Sequence, residues 1–176
     1  MKKTTAVILN LFQDLKTRSR NKFGMTASGV LLLLLTGCAN KPVLVGGVFD
    51  VLHYGHIDFI KKAKAQGDYL IVALEPDIKV VKYKKRQPIH TQQQRAENLL
   101  ALRAVDEVLL LPELHGFDDY NALVQSVRPA VIAVTRGDPQ MQNKQKQANS
   151  VGAEVVVVVD RVDGFSSSEI IRKLQD

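Results

Sequence analysis

The sequence predicts an α/β domain built on a doubly wound parallel sheet of about five strands with flanking helices. Three observations predict it. From Lys41 onward, short β-branched runs alternate with longer amphipathic stretches, the pattern of repeated β-α units. The first run has a Gly-Gly end and leads into a helical pattern. The chain has 176 residues and 45% hydrophobic content, enough for one core of ordinary size, so one domain over 41–176 is expected.

The elements follow in order. Residues 43–48 form an apolar run of strand length whose composition predicts burial. Over 54–66, Ile57, Ile60, Ala63 and Ala65 fall largely on one helical face with lysines opposite, and Gly67 stops the helix. Residues 69–74 are a second strand. Thr91 can cap a helix whose Gln94 completes a capping box, with Leu99, Leu100, Leu102 and Val105 as its apolar surface. A third strand spans 108–111 and ends at Pro112. A helix over 118–127 precedes Pro129 and a strand over 130–135. The Gln/Lys helix over 140–150 reads as solvated across its low-complexity patch, 140–147. The β-branched run 155–159 predicts a strand that is central or covered on both faces. Ser166 and Glu169 form a second capping box, opening a last helix to about residue 174.

Charge excludes one class of partner. The net charge of +6 is concentrated in residues 1–24, which hold six Lys/Arg and one acid, against eighteen and seventeen in the remainder. The domain is nearly neutral and has no broad basic face for nucleic acid. Cys38 is the single cysteine, so an internal disulfide and a Cys-rich zinc site are excluded, in keeping with a cytoplasmic location. Residues 25–36 are apolar, too short for a bilayer span of roughly 20 residues but long enough for a signal segment. Leu35-Thr36-Gly37-Cys38 resembles a lipoprotein lipidation box, so membrane attachment would follow if Cys38 is lipidated. A 24-residue basic leader containing Asp14 is long for a signal, and the first strand follows Cys38 by about five residues. The stretch from Val7 to Thr26 also looks like a translated bacterial intergenic repeat. Residues 1–40 are therefore expected to be an extension, disordered or signal-like, or the product of a start codon placed too far upstream.

The informative stretch for chemistry is 50–56. It follows a strand and opens a helix, where free backbone N–H groups and the helix dipole favour phosphate. His53 and His56 lie three apart with Gly55 between them, so both imidazoles can face one anion. A metal pair is the rival reading, but no third ligand is evident nearby. Ser166, Ser167 and Ser168 open the last helix and offer hydroxyls and amides to phosphate, whereas a simple cap accounts for Ser166 alone. Lys82, Lys84, Lys85 and Arg86 form a basic run before Pro88, which by itself reads as solvated.

Gly47-Val48-Phe49-Asp50 with His53-Tyr54-Gly55-His56 resembles the signature of the cytidylyltransferase-like nucleotidyltransferases. That superfamily includes glycerol-3-phosphate cytidylyltransferase, archaeal-type FAD synthase, heptose-phosphate adenylyltransferase and pantetheine-phosphate adenylyltransferase. Arg95 with Val105-Asp106-Glu107-Val108 matches its second helix and third strand, and Arg161 through Ile171 looks like its C-terminal element. The resemblance runs from about Pro42 to Leu174 with all motifs in order. It implies a Rossmann-like fold and a homodimer acting on a nucleoside triphosphate and a phosphorylated acceptor, with Mg²⁺ accompanying the triphosphate. It further implies nucleotide contacts at Gly47, Val48, Phe49, Asp50, Gly55, Arg95, Arg161 and Ser166 to Ser168. His53 and His56 would hold the phosphates, and Lys84 or a neighbour would close over them from a lysine-bearing loop. Asp50 would orient the Gly47 loop or help place Mg²⁺. Gly137-Asp138 resembles the pair beside the base, but Pro139 and Gln140 replace the aromatic residue that often follows, which leaves the base open.

The leading expectation is transfer from CTP to a small phosphorylated alcohol such as glycerol 3-phosphate, releasing pyrophosphate. The alternative is an adenylyltransferase using ATP with FMN or a sugar phosphate. From a different class come a nucleotide-binding regulator without catalysis and an exported lipoprotein, against which both histidines and the serine trio speak.

Overall fold

The computed structural model describes residues 41–160 and 167–173. In chain order the elements are β1 (Pro42–Gly47), α1 (Tyr54–Lys64), β2 (Tyr69–Leu74), α2 (Asp77–Lys84), α3 (Gln92–Leu100) and β3 (Glu107–Leu110). They continue with α4 (Gly116–Val127), β4 (Val131–Thr135), α5 (Met141–Asn149), β5 (Glu154–Val159) and α6 (Ser167–Lys173). The five strands make one parallel sheet in the order β3-β2-β1-β4-β5. The chain builds outward from β1 to β3, then returns to lay β4 on the other side of β1. The order therefore reverses between β1 and β4, and the crevice beyond their C-terminal ends is where such sheets bind ligands.

Both faces of the inner strands are covered, as their unbroken apolar runs predict. Val43 and Val45 of β1, Leu70, Val72 and Leu74 of β2, and Val131 and Ala133 of β4 pack against Phe59, Ile60 and Ala63 of α1 and Leu99 of α3. Leu44, Ile71, Ala73, Ile132 and Val134 point the other way, toward Leu123 and Val124 of α4 and Ala148 of α5. At Gly67 any side chain is excluded, since a Cβ would stand 2.0 Å from the Lys41 carbonyl oxygen. The helix before it is two residues shorter at its end than 54–66.

Three expectations are corrected. The valine run of β5 is not central: β5 is an edge strand paired only with β4 and Val157 is exposed, although Val156, Val158 and Val159 pack against one face's core and Val155 against the other's. β-branched composition reports fit to a pleated surface, not the number of neighbouring strands. Residues 82–84 of the basic run belong to a helix, α2, which buries Val80 and ends where Lys85 turns left-handed at φ 56°. The Gln/Lys helix α5 is not merely solvated, because Gln147 is buried against the core. By contrast, the Thr91–Gln94 capping box forms as expected, with both reciprocal hydrogen bonds present at 3.3 and 3.1 Å.

No helix among the described residues is long and apolar enough to cross a membrane. The expectations placed on residues 1–40, including Cys38, and on Arg161 and Ser166 lie outside the described residues.

Candidate active site

β1 ends at Gly47, and the chain reaches α1 through a loop containing two left-handed non-glycine residues, Phe49 (φ 48°) and Val51 (φ 56°). Such conformations cost on the order of 1–3 kcal/mol each, so the surroundings must hold them. A Cβ at Gly47 would stand 2.8 Å from Cε2 of the buried Phe49 ring, which explains the glycine. Asp50 is buried and accepts from Arg86 Nη1 at 2.7 Å, from the Ile89 amide at 3.1 and 3.2 Å, and from the His90 amide at 3.1 Å. Burial alone would raise its pKa, but these bonds and the Arg86 charge outweigh it and hold the carboxyl below its ordinary value. From beneath, the buried Arg95 guanidinium donates to the Val48, Glu75 and His90 carbonyls and to Asp77 Oδ1.

His53 is the N-cap residue of α1, and its side chain makes no cap hydrogen bond. One turn on, His56 stacks on it with ring centroids 3.8 Å apart at 23°, while Phe49 meets His56 edge-on at 5.1 Å. Burial and the neighbouring His53 push the His56 pKa down to about 4, only partly offset by the Val51 backbone and Asp50. Burial lowers that of His53 as well. Both rings are therefore neutral near pH 7 and offer N–H donors rather than positive charge.

Two cavities open at the end of β1. One, of about 250 Å³, is bordered by His53, Gly55, His56, Phe49, Asp138 and Ser167. The Ser167 hydroxyl donates to the Asp50 carbonyl, so the last helix converges on the loop that carries the histidines. The other, of about 470 Å³, is bordered by Lys79, Tyr83, Lys84, Phe117 and Tyr120 over an apolar floor that includes Leu44 and Ile132. Gly46, Gly47, Val48 and Lys144 border both. Among the described residues no cluster of three or more His, Cys, Asp or Glu could hold a metal ion.

Comparison with known proteins shows the family of the chain. The cytidylyltransferase-like family profile matches residues 44–173. The chain belongs to the cytidylyltransferase-like family of nucleotidyltransferases. Among relatives in this family, the FAD synthase of Thermococcus kodakarensis is 40% identical over 139 residues, covering 75% of this chain and 90% of the relative. The bifunctional protein HldE of Campylobacter jejuni subsp. doylei is 35% identical over 171 residues, 94% of this chain. The match takes in 35% of HldE, so the chain spans about a third of that protein. A solved structure of the lipopolysaccharide core biosynthesis protein from Thermoplasma volcanium matches with TM-score 0.54 at 26% identity, over 73% of this chain and 100% of that one.

The residues expected from the family motifs separate into three groups. Gly47, Val48, Phe49, His53, Gly55, His56, Asp138 and Ser167 border the histidine cavity. Lys84 borders the larger cavity instead, Lys82 is paired with Glu113, and Arg86 is paired with Asp50. Gly137, at φ 72°, makes the turn that brings Asp138 to the cavity and does not itself border it. Asp50 and Arg95 border neither cavity. Arg95 is buried and joins the Val48 carbonyl of the loop after β1 to Glu75, Asp77 and His90, while Asp50 ties the same loop to Arg86 and to the Ile89 and His90 amides. Ser168 is exposed on α6.

Lys144, Glu75, Tyr83, Phe117 and Tyr120 border the crevice and were not singled out by the motifs. One signal was present. Gln140, Asn143, Lys144 and Gln147 recur at i, i+3, i+4 and i+7, the spacing of a single helix face, and all four border the larger cavity.

Proposed function

We propose that the protein is an adenylyltransferase that joins the AMP part of ATP to FMN and releases pyrophosphate. The observation that carries this reading is the 470 Å³ cavity, walled by Tyr83, Phe117 and Tyr120, meeting the histidine cavity along Gly46, Gly47 and Val48. A volume in the usual ligand range with aromatic walls suits a planar heteroaromatic acceptor, whereas glycerol 3-phosphate would fill only a corner of it. Tyr120 donates to Glu75 Oε1 at 2.6 Å, leaving buried Oε2 without a partner among the described residues, an acceptor suited to the imide N–H of a flavin. The likeness to FAD synthase favours this reading over the CTP reaction that the sequence put first.

The triphosphate lies on the α1 side with its Mg²⁺, which the phosphates themselves bring. His53, His56 and the α1 amides donate to the phosphates, with Ser167 alongside, and Arg161 and Ser166 join them by resemblance. An oxygen of the FMN phosphate attacks the α-phosphorus, the bond to the β-bridging oxygen breaks, and the electron pair leaves with pyrophosphate. The protein acts by positioning and by donors aimed at the charge that develops. The test is pyrophosphate release with each of ATP, CTP, GTP and UTP, with Mg²⁺, against FMN, glycerol 3-phosphate and a panel of sugar phosphates. ATP with FMN is expected to be fastest. CTP with glycerol 3-phosphate as the best pair, or nucleotide binding without any release, would overturn the reading.

A further inference from the structure

Lys144 is the one charged side chain among the described residues that borders both cavities. Its Nζ lies 2.6 Å from Asp138 Oδ2, and both side chains are mostly shielded, at 23% and 14% exposure. Asp138 is itself fixed, because its Oδ1 accepts the Gln140 amide at 2.7 Å in the turn entering α5. The histidine cavity is otherwise poor in positive charge. Besides Asp138 it is bordered by Asp58 and Asp160, paired with Lys62 and Arg136, and Lys144 is its only Lys or Arg among the described residues. Two neutral imidazoles supply donors but not the charge that a triphosphate demands.

We propose that Lys144 is a catalytic cation of the transfer step, reaching from the shared wall to the phosphates of donor and acceptor alike, and that Asp138 is the residue that positions it. This rests on the nucleotidyl-transfer reading. As the acceptor oxygen bonds to the α-phosphorus and pyrophosphate departs, Lys144 keeps its proton and donates N–H bonds to non-bridging oxygens on both reactants. Asp138 holds the ammonium at the wall, so that it need not be ordered anew in each cycle.

The test is steady-state pyrophosphate release with ATP, Mg²⁺ and FMN for Lys144→Met, Lys144→Gln, Lys144→Arg and Asp138→Asn, with circular dichroism and thermal melting of each. Lys144→Met is expected to lose about a hundredfold in kcat and to raise KM for both substrates while keeping its fold. Lys144→Arg should recover most of that loss. Asp138→Asn should raise both KM values with a smaller fall in kcat. Where Lys144→Met does not fold, Lys144→Gln, which can still bond to Asp138, carries the same expectation. Wild-type kcat in a folded Lys144→Met or Lys144→Gln protein, or an effect confined to the KM of one substrate, overturns the role. Absence of pyrophosphate release from the wild type with every acceptor overturns the nucleotidyl-transfer reading and this proposal with it, whereas an active wild type with an equally active Lys144→Met overturns this proposal alone.

Discussion

The hydroxyl of Ser167 donates a hydrogen bond to the backbone carbonyl of Asp50, across 117 positions of sequence. The first loop of the sheet and the last helix of the chain thereby share one wall of the histidine cavity. Replacing Ser167 by Ala removes the bond and leaves a partly buried carbonyl without it. The expected cost is about 1 kcal/mol of stability together with a several-fold rise in KM for the triphosphate. Ser167→Thr, which keeps the hydroxyl, should retain both properties. Thermal melts and ATP titrations of the two variants check this, and an unchanged KM in Ser167→Ala would remove the serine from the site.

Loss of the His56 imidazole should act on turnover more than on binding. A donor gripping only the transition state is worth about 3 kcal/mol, or roughly a hundredfold in rate. His56→Ala is therefore expected to lower kcat at least about tenfold while far-ultraviolet circular dichroism stays native. Wild-type turnover in that variant would rule out the proposed role.

The histidine pair also predicts a pH dependence of folding. His56 is depressed from 6.5 to about 4 in the folded chain, so between those values the unfolded chain binds the proton and the folded chain does not. Stability is full above pH 6.5 and falls as pH drops toward 4, by up to about 3 kcal/mol. His53 acts in the same direction. Asp50, whose pKa is lowered, adds its own loss only as pH falls below its ordinary value of 3.8. Urea unfolding at several values between pH 7.5 and 4.5 should show this slope, and His56→Asn should flatten it. A wild-type profile with no slope would contradict the buried, neutral state of the ring.

Asp50 and Arg86 form a pair in which the carboxylate side chain is 1% exposed and the guanidinium 23%. Taking away either partner strands the other, at a cost of about 3 kcal/mol. Asp50→Asn with Arg86→Gln should cost clearly less than the two single changes added together, with a coupling above about 1 kcal/mol by denaturant unfolding. Simple additivity would mean that the two groups do not support each other.

Much of the fold is visible in local sequence because it depends on local forces. The apolar runs of β1, β2 and β4, the turns after them and the Thr91–Gln94 box each carry their own signal within a few residues. The place of β5 at the edge does not, because the number of strands beside a run is set by the path of the whole chain. α2 was hidden for another reason: only Val80 of its eight residues is buried, too little to mark a helical face. At the site, the histidines were evident because their spacing and the junction they occupy lie in seven consecutive residues. The burial of Arg95 and the reach of Lys144 are tertiary facts, and a lysine within a glutamine-rich helix looks the same in sequence whether it meets solvent or a crevice.

The loop after β1 is held from three directions: Arg95 below, the 86–90 segment through Asp50, and Ser167 from the far end of the chain. Its shape is settled before any ligand arrives, so a nucleotide does not have to freeze a floppy backbone, a step that would drain affinity by about 1–2 kcal/mol for each residue newly ordered. Tight recognition is then compatible with rapid exchange, since release requires no melting of the scaffold. Changes at residues remote from the phosphates, Arg95 foremost, would degrade affinity by slackening that scaffold while leaving every group that touches the ligand in place.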